Sequence, residues 1–161
     1  MLVPLSLGYC AVIDEADWPL VKGFAWKAAE TKPGSGRVYA IAFPRENGRQ
    51  KTIYMHRLLA GASGRGQQVD HADRDTLNNR RGNLRICSNA QNMHNSWIGK
   101  RNKSGYKGVC WCSFTSRWKA QIRVNGRKMF LGRYNSAEDA ARAYDAAARD
   151  LSGEFARVNF A

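Results

Sequence analysis

An aspartate beside a histidine, Asp70-His71, is followed by asparagines at positions 78, 79, 83, 89, 92 and 95 of a 161-residue chain. A hard divalent cation wants oxygen ligands, which Asp70 and an amide oxygen from a following helix could supply. A histidine next to it, with an ordinary pKa of about 6.5, can take a proton from water near neutral pH. A cation held there would stabilise negative charge on a phosphate and on the departing oxygen. These residue types together suit a one-metal hydrolytic site. The same asparagines are also common turn and cap residues, and an isolated Asp-His pair is weak by itself.

Such a site needs elements to position it. The pattern predicts a strand over 67–71, a polar loop over 72–82, a strand over 83–87 and a helix from 89 with Ser88 as its cap. Neighbours on a regular strand point to opposite faces, so Asp70 and His71 can serve one site only if the strand ends or twists there. His56 is expected to be structural at the start of a short helix, and Asp73 and Asp75 to cap the loop. Upstream, 7–13, 24–29, 38–43 and 51–55 read as strands around a helical turn at 15–22, with Trp18, Phe24 and Trp26 as core.

The chain carries 26 Lys+Arg against 13 Asp+Glu, a net +13, and half of the basic residues lie in 100–161. A polyanionic partner is expected, nucleic acid first. With 43% hydrophobic and 11% aromatic residues the chain can bury a core, which excludes a disordered basic tail. No apolar run approaches the roughly 20 residues of a membrane span, and Met1-Leu2-Val3-Pro4-Leu5 lacks a signal-peptide pattern, so a cytoplasmic protein without a membrane partner is expected. Cys10, Cys87, Cys110 and Cys112 form no CxxC pair and lack histidines at zinc-ligand spacing, so unpaired thiols are expected.

In the basic third, 106–112, 117–124 and 127–134 are aromatic and β-branched runs, the last two joined by Asn125-Gly126, a tight-turn dipeptide. Ser136 then caps a helix in which Ala137, Ala140, Ala141, Tyr144, Ala147, Ala148 and Leu151 recur at helical spacing, ended by Gly153. This predicts a three-stranded antiparallel sheet with one helix across its back. Alternation puts Trp118, Ala120, Ile122 and Val124 on one face and Lys119, Gln121 and Arg123 on the other, with Lys128 and Phe130 opposing Met129 and Leu131 in the next strand. The polar face, with one exposed aromatic, suits nucleic acid. Before it, 97–105 reads as a basic linker whose Lys100, Arg101 and Lys103 would lie on phosphates.

The segments Tyr106-Lys107-Gly108-Val109, 118–123, Phe130-Leu131-Gly132, 137–141, Ala143-Tyr144-Asp145 and Val158-Asn159-Phe160 resemble the APETALA/ethylene-response-factor DNA-binding domain over about residues 103–161. In that family the sheet enters the major groove, and the matching positions imply DNA contacts from Lys107, Arg123, Lys128, Phe130 and Arg133. Where the plant pattern has arginines after its Tyr-Arg-Gly-Val motif, this chain has Cys110 and Cys112. Bidentate arginine–guanine readout is weakened there, and the plant target sequence does not carry over.

The central stretch, with Met55-His56-Arg57-Leu58, Asp70-His71, Asn83-Leu84-Arg85 and Asn92, resembles the His-Asn-His (HNH) nucleases of the ββα-metal fold, specifically phage and mobile-intron homing endonucleases. His71 precedes Asn83 by 12 residues and Asn92 by 21. The resemblance implies His71 as general base, Asp70 and Asn92 as ligands of one magnesium or manganese ion, and Asn83 as the residue that fixes the loop behind the histidine. His94 is a rival final ligand; it lies about 200° around a helix from Asn92, so both cannot face one metal.

The expected architecture is α+β: an N-terminal β-rich extension (1–54), a ββα-metal nuclease core (55–96), the linker (97–105) and a three-stranded antiparallel sheet packed on one helix (106–161). The expected function is a homing-type endonuclease that hydrolyses a phosphodiester of double-stranded DNA. No small-molecule cofactor is expected; a monomer suits nicking, and a dimer is possible. The resemblance places the protein in a bacterial host cell, encoded by a phage or mobile element. The alternative is a non-catalytic, sequence-specific DNA-binding regulator on the same scaffold. RNA binding is disfavoured, because the sheet lacks paired aromatic stacking positions.

Overall fold

Short apolar runs broken by glycine, proline and asparagine give this chain short elements, which a computed structural model describes for all residues except Arg65, Trp97, Gly99, Lys100, Arg101, Asn125 and Ala161, and without the side chains of Ala90 and His94. The chain is mixed α and β, built of small antiparallel sheets and few helices, and divides into the units Met1–Ser88 and Asn89–Ala161.

In the first unit β1 (Leu2–Pro4) pairs with β2 (Cys10–Val12). The strand expected over 7–13 is shorter than its apolar run, because Leu7 and Gly8 turn the chain at positive φ. In α1 (Trp18–Val21) Pro19 sits in the first turn, where its missing N–H leaves no bond unmade. Next come β3 (Lys27–Glu30), β4 (Val38–Ala42), the small hairpin of β5 (Arg45–Glu46) and β6 (Arg49–Gln50), and β7 (Ile53–Tyr54). Strands β3, β4 and β7 form one sheet in that order. Helix α2 (Met55–Leu59) leads to the pair β8 (Gln68–His71) and β9 (Leu84–Cys87), matching the strand–loop–strand pattern of the sequence.

A single core joins Val3, Ala11, Ile13, Val21, Trp26, Ala40, Ala42, Met55 and Leu59. Residues before 55 and the helix that begins there therefore share one interior. Phe24 packs at its margin and Trp26 within it, donating its indole N–H to the Val21 carbonyl at 2.9 Å. Trp18, expected in the core, is 39% exposed: α1 is a single turn, and its inward position is taken by Val21.

The second unit opens with α3 (Asn89–His94), followed by β10 (Val109–Cys112), β11 (Arg117–Val124), β12 (Arg127–Tyr134) and α4 (Ala137–Ser152). The three strands form an antiparallel sheet in chain order, and α4 packs on it through Ala140, Ala141, Tyr144 and Ala148. Ser136 caps α4: its Oγ accepts the Asp139 N–H at 3.0 Å and donates to the Asp139 carboxylate at 2.7 Å. Alanine spacing permits this close packing, and Gly108 completes it. At φ +77° a Cβ on Gly108 would lie 2.0 Å from Cδ2 of Tyr144 and 2.8 Å from the Gln121 carbonyl oxygen. Leu151, expected on the packed stripe, is exposed; Asp145 and Ser152 are buried instead. Asp145 accepts from the Asn159 and Phe160 backbone N–H groups and from the Asn159 amide, at 2.8–2.9 Å, tying the C-terminal tail to the helix.

Candidate active site and nucleic-acid interface

His71 is the last residue of β8 and Asp70 the one before it, paired cross-strand with Leu84 and Arg85 respectively. The strand ends where the two residues sit: Arg74 N–H closes a turn on the His71 carbonyl at 2.9 Å, with Arg74 itself at φ 70°. Both side chains are buried. The Asp70 carboxylate pairs with the Arg85 guanidinium. His71 is 5% exposed and sits against His56, ring centroids 5.3 Å apart, and Tyr39, at 6.3 Å.

Burial lowers the pKa of both histidines, since an imidazolium loses hydration there. His56 falls to about 3, with the His71 and Arg57 charges adding to the burial. For His71 burial dominates, opposed by its hydrogen bond to Asn79 and by the Asp73, Asp70 and Asp75 carboxylates. An imidazole kept neutral this way is in the form that accepts a proton.

The loop between β8 and β9 is held by its own polar side chains. Asn83 donates from Nδ2 to the Asp73 carboxylate at 2.8 Å and the Asn78 carbonyl at 2.7 Å, and its Oδ1 accepts the Asp73 N–H at 3.0 Å. Asp73 also accepts from the Asp75 N–H and the Asn78 amide, and Asp75 from the Leu77 N–H. Burial alone would raise the Asp73 pKa, but these hydrogen bonds outweigh it and the pKa is lowered. From outside, the loop is clamped by the N-terminal residues. Val12 exchanges backbone bonds with Leu77 and Asn79 at 2.8 and 2.7 Å. Asp14 accepts the Arg81 N–H at 2.8 Å, and buried Asp17 takes the Arg81 guanidinium at 2.6 Å.

Asp70, His71 and Asn83 thus lie in the first unit, whereas Asn92 is a half-buried residue of α3 in the second. The His94 side chain lies outside the described residues. Among those described, no three His, Cys, Asp or Glu residues cluster as a metal site. The donors present, one carboxylate and amide oxygens, suit a hard cation that keeps water and takes phosphate oxygens as further ligands.

In the second unit the register puts Cys110, Lys119, Gln121, Arg123, Lys128, Phe130 and Arg133 on one sheet face. A bulge between Ala120 and Gln121 pairs Ala120 with Gly132 and Gln121 with Phe130, leaving Leu131 as the extra residue of β12. Leu131 and Gly132 both turn toward α4, which brings Arg133 out beside Phe130 with its guanidinium carbon 5.1 Å from the ring centroid. Phe130 is 54% exposed. The Cys112 thiol is pushed below its ordinary pKa by hydrogen bonding at Thr115 and by Arg133. Lys103 is exposed; Lys100 and Arg101 lie outside the described residues. Residues 102–105, expected as linker, form an ordered turn in which Ser104 and Asn102 bond the Tyr106 carbonyl. Lys107 donates to the Ser96 carbonyl at 3.0 Å.

Sequence reasoning gave Asn79 no role beyond turn or cap and missed the pairing of Arg85 with Asp70 and the ring of Tyr39 beside His71. His56 is buried in the first turn of α2, the structural position expected of it. Arg85 becomes visible once the hairpin register is known, since it lies directly opposite Asp70. Asn79 carries no periodic signal.

Two family models match this chain, and the first continues past the unit boundary at Ser88 into α3. Residues 54–94 match the model of the HNH endonuclease family and residues 104–154 that of the AP2 domain. An uncharacterized HNH endonuclease of Acanthamoeba polyphaga mimivirus is 29% identical over 152 residues, 94% of this chain and 75% of the relative. Protein 3.8 of Escherichia phage T7 is 31% identical over 108 residues, 67% of this chain and 88% of its own. An AP2-like ethylene-responsive transcription factor of Arabidopsis thaliana is 40% identical over 72 residues, 44% of this chain and 15% of that protein. With a buried histidine at a strand end in one unit and a basic sheet face in the other, the chain belongs to the HNH endonucleases and carries an AP2-like DNA-binding domain.

Proposed function

We propose that the protein is a homing-type endonuclease that hydrolyses one phosphodiester of double-stranded DNA in a ββα-metal site (55–96), delivered by the linker (97–105) and the sheet domain (106–161). The observation that carries this reading is the buried His71 at the end of β8, next to Asp70 and backed by a loop that Asn83 holds in place. His71 takes a proton from water, whose oxygen bonds to phosphorus as the P–O3′ bond breaks; the 3′ oxygen is then protonated from solvent. The products are a 5′-phosphate and a 3′-hydroxyl. Asp70 and Asn92 would hold a magnesium or manganese ion, which stabilises charge on the phosphate and on the leaving oxygen. Arg85, directly across from Asp70, pairs with that carboxylate.

Lys119, Gln121, Arg123, Lys128, Phe130 and Arg133, with Lys107 and the basic linker residues, bind the duplex. The viral relatives support action inside an infected host cell. No helix among the described residues is long and apolar enough to cross a membrane.

Incubation of supercoiled plasmid carrying the native flanking DNA, with magnesium or with chelator, tests the reading. Relaxed or linear product that needs the metal and is lost in His71→Ala, with DNA affinity retained, is expected. His71→Ala cutting at the wild-type rate refutes the base assignment. Salt-sensitive binding with no product under any condition favours the non-catalytic regulator.

A further inference from the structure

His71 Nε2 lies 3.4 Å from Oδ1 of Asn79, a contact inside the fold with Asn79 only 1% exposed. Which atom carries the hydrogen follows from the surroundings of Asn79. Its Nδ2 meets the Leu77 carbonyl at 3.0 Å. A carbonyl can only accept, so the NH2 end of the amide must point to Leu77 and the oxygen must point to His71. That oxygen can only accept in turn, so Nε2 is the protonated ring nitrogen. In a neutral imidazole the lone pair then sits on Nδ1.

We infer that Asn79 is a positioning residue of the nuclease: it fixes His71 in the Nε2–H tautomer and presents Nδ1 as the atom that takes the proton from water. The inference rests on the reading of His71 as the base.

Asn79 can do this because its own backbone is held. Its N–H donates to the Val12 carbonyl at 2.7 Å, and Leu77, which orients its amide, accepts from Val12 N–H at 2.8 Å. The parallel bridge between Val12 and Asn78 lies between these two bonds. Strand β2, from the part of the chain that precedes the family match, thus sets a proton position in the candidate site through two backbone bonds and one amide. Asn83 does not perform this role. Its side-chain bonds go to Asp73 and Asn78, within the loop, and it shapes the loop rather than the ring. On the other side, His56 and Tyr39 limit how far the ring can swing.

The test begins on the wild-type chain with 15N-labelled histidine, using two-bond 1H–15N correlations at mildly alkaline pH, with His71 assigned by its loss in His71→Ala. The Nε2–H pattern is expected; an Nδ1–H pattern overturns the inference without any variant needing to fold. Asn79→Leu removes the acceptor at similar volume, and Asn79→Asp keeps one. Asn79→Leu is expected to lose the single-tautomer pattern and about tenfold or more in kcat with KM little changed, as for other lost orienting partners; Asn79→Asp is expected to restore both in large part. Asn79→Leu with the wild-type tautomer and wild-type kcat overturns the inference. Failure of the underlying reading is distinguishable. It shows as His71→Ala cutting normally, whereas the tautomer readout does not depend on cleavage.

Discussion

The loop between β8 and β9 and the sheet of β10, β11 and β12 are held by different means. The loop is stabilised by side-chain amides and carboxylates that bond each other and the backbone, with an outside clamp from Val12, Asp14 and Asp17. The sheet is held by ladder bonds and by an alanine-lined helix, with Gly108 tight against Tyr144. Polar cross-bonding places individual atoms, as hydrolysis requires, while regular packing presents a broad face, as binding a duplex requires. In each region the weakest point is different: an amide in one, a methyl's worth of space in the other.

The largest test of that contrast is Gly108→Ala. The added carbon would overlap the Tyr144 ring and force a positive φ on a non-glycine residue. A loss of about 3 kcal/mol in the stability of the second unit is expected, by overpacking and backbone strain together. Hydrogen exchange reads it: amides of β11 and β12 should lose protection while those of β4 keep theirs. Equal loss in both would mean that the two regions unfold as one and the contrast fails.

A second test uses acid. His56 has its folded pKa lowered from 6.5 to about 3, so below about 6.5 the unfolded chain binds a proton that the folded first unit refuses. Its contribution is therefore fully present above pH 6.5 and is lost as pH falls toward 3, at about 1.4 kcal/mol per pH unit. Urea midpoints of the first unit measured across this window should fall, and His56→Phe should flatten the dependence. An unchanged slope in His56→Phe would exclude His56 as the acid-sensitive group.

The smallest effect concerns the sheet face. Arg133→Ala should lower DNA affinity and reduce the slope of log affinity against log salt by about 1, the loss of one phosphate contact. Arg149→Ala, on an exposed part of α4, should change neither. An identical salt slope for Arg133→Ala and wild type would remove Arg133 from the interface.

Legibility in the sequence followed the same contrast. Strands β11 and β12 fall at the limits their alternation predicts, because a regular sheet has a period that a sequence displays. The Asp70-His71 pair and its two flanking strands were also visible, since hydrophobic residues bound them. What Asn79 does was not, because its role depends on Leu77 and Val12, the latter far away in the chain and joined to the loop only in the fold. Trp18 misled for a related reason: an apolar residue beside a one-turn helix has no second turn to confirm which way it faces.

The extra residue at Leu131 has a consequence for how this sheet can change length. A deletion in β12 ahead of Leu131 would reverse the parity of the side chains beyond it, sending Arg133 inward and its neighbours outward. Removal of Leu131 would not: Phe130 would stay outward, Gly132 inward and Arg133 outward, now in unbroken alternation. The bulge is thus a place where the strand can be shortened by one residue with its reading frame intact, at the expense of packing on α4 alone.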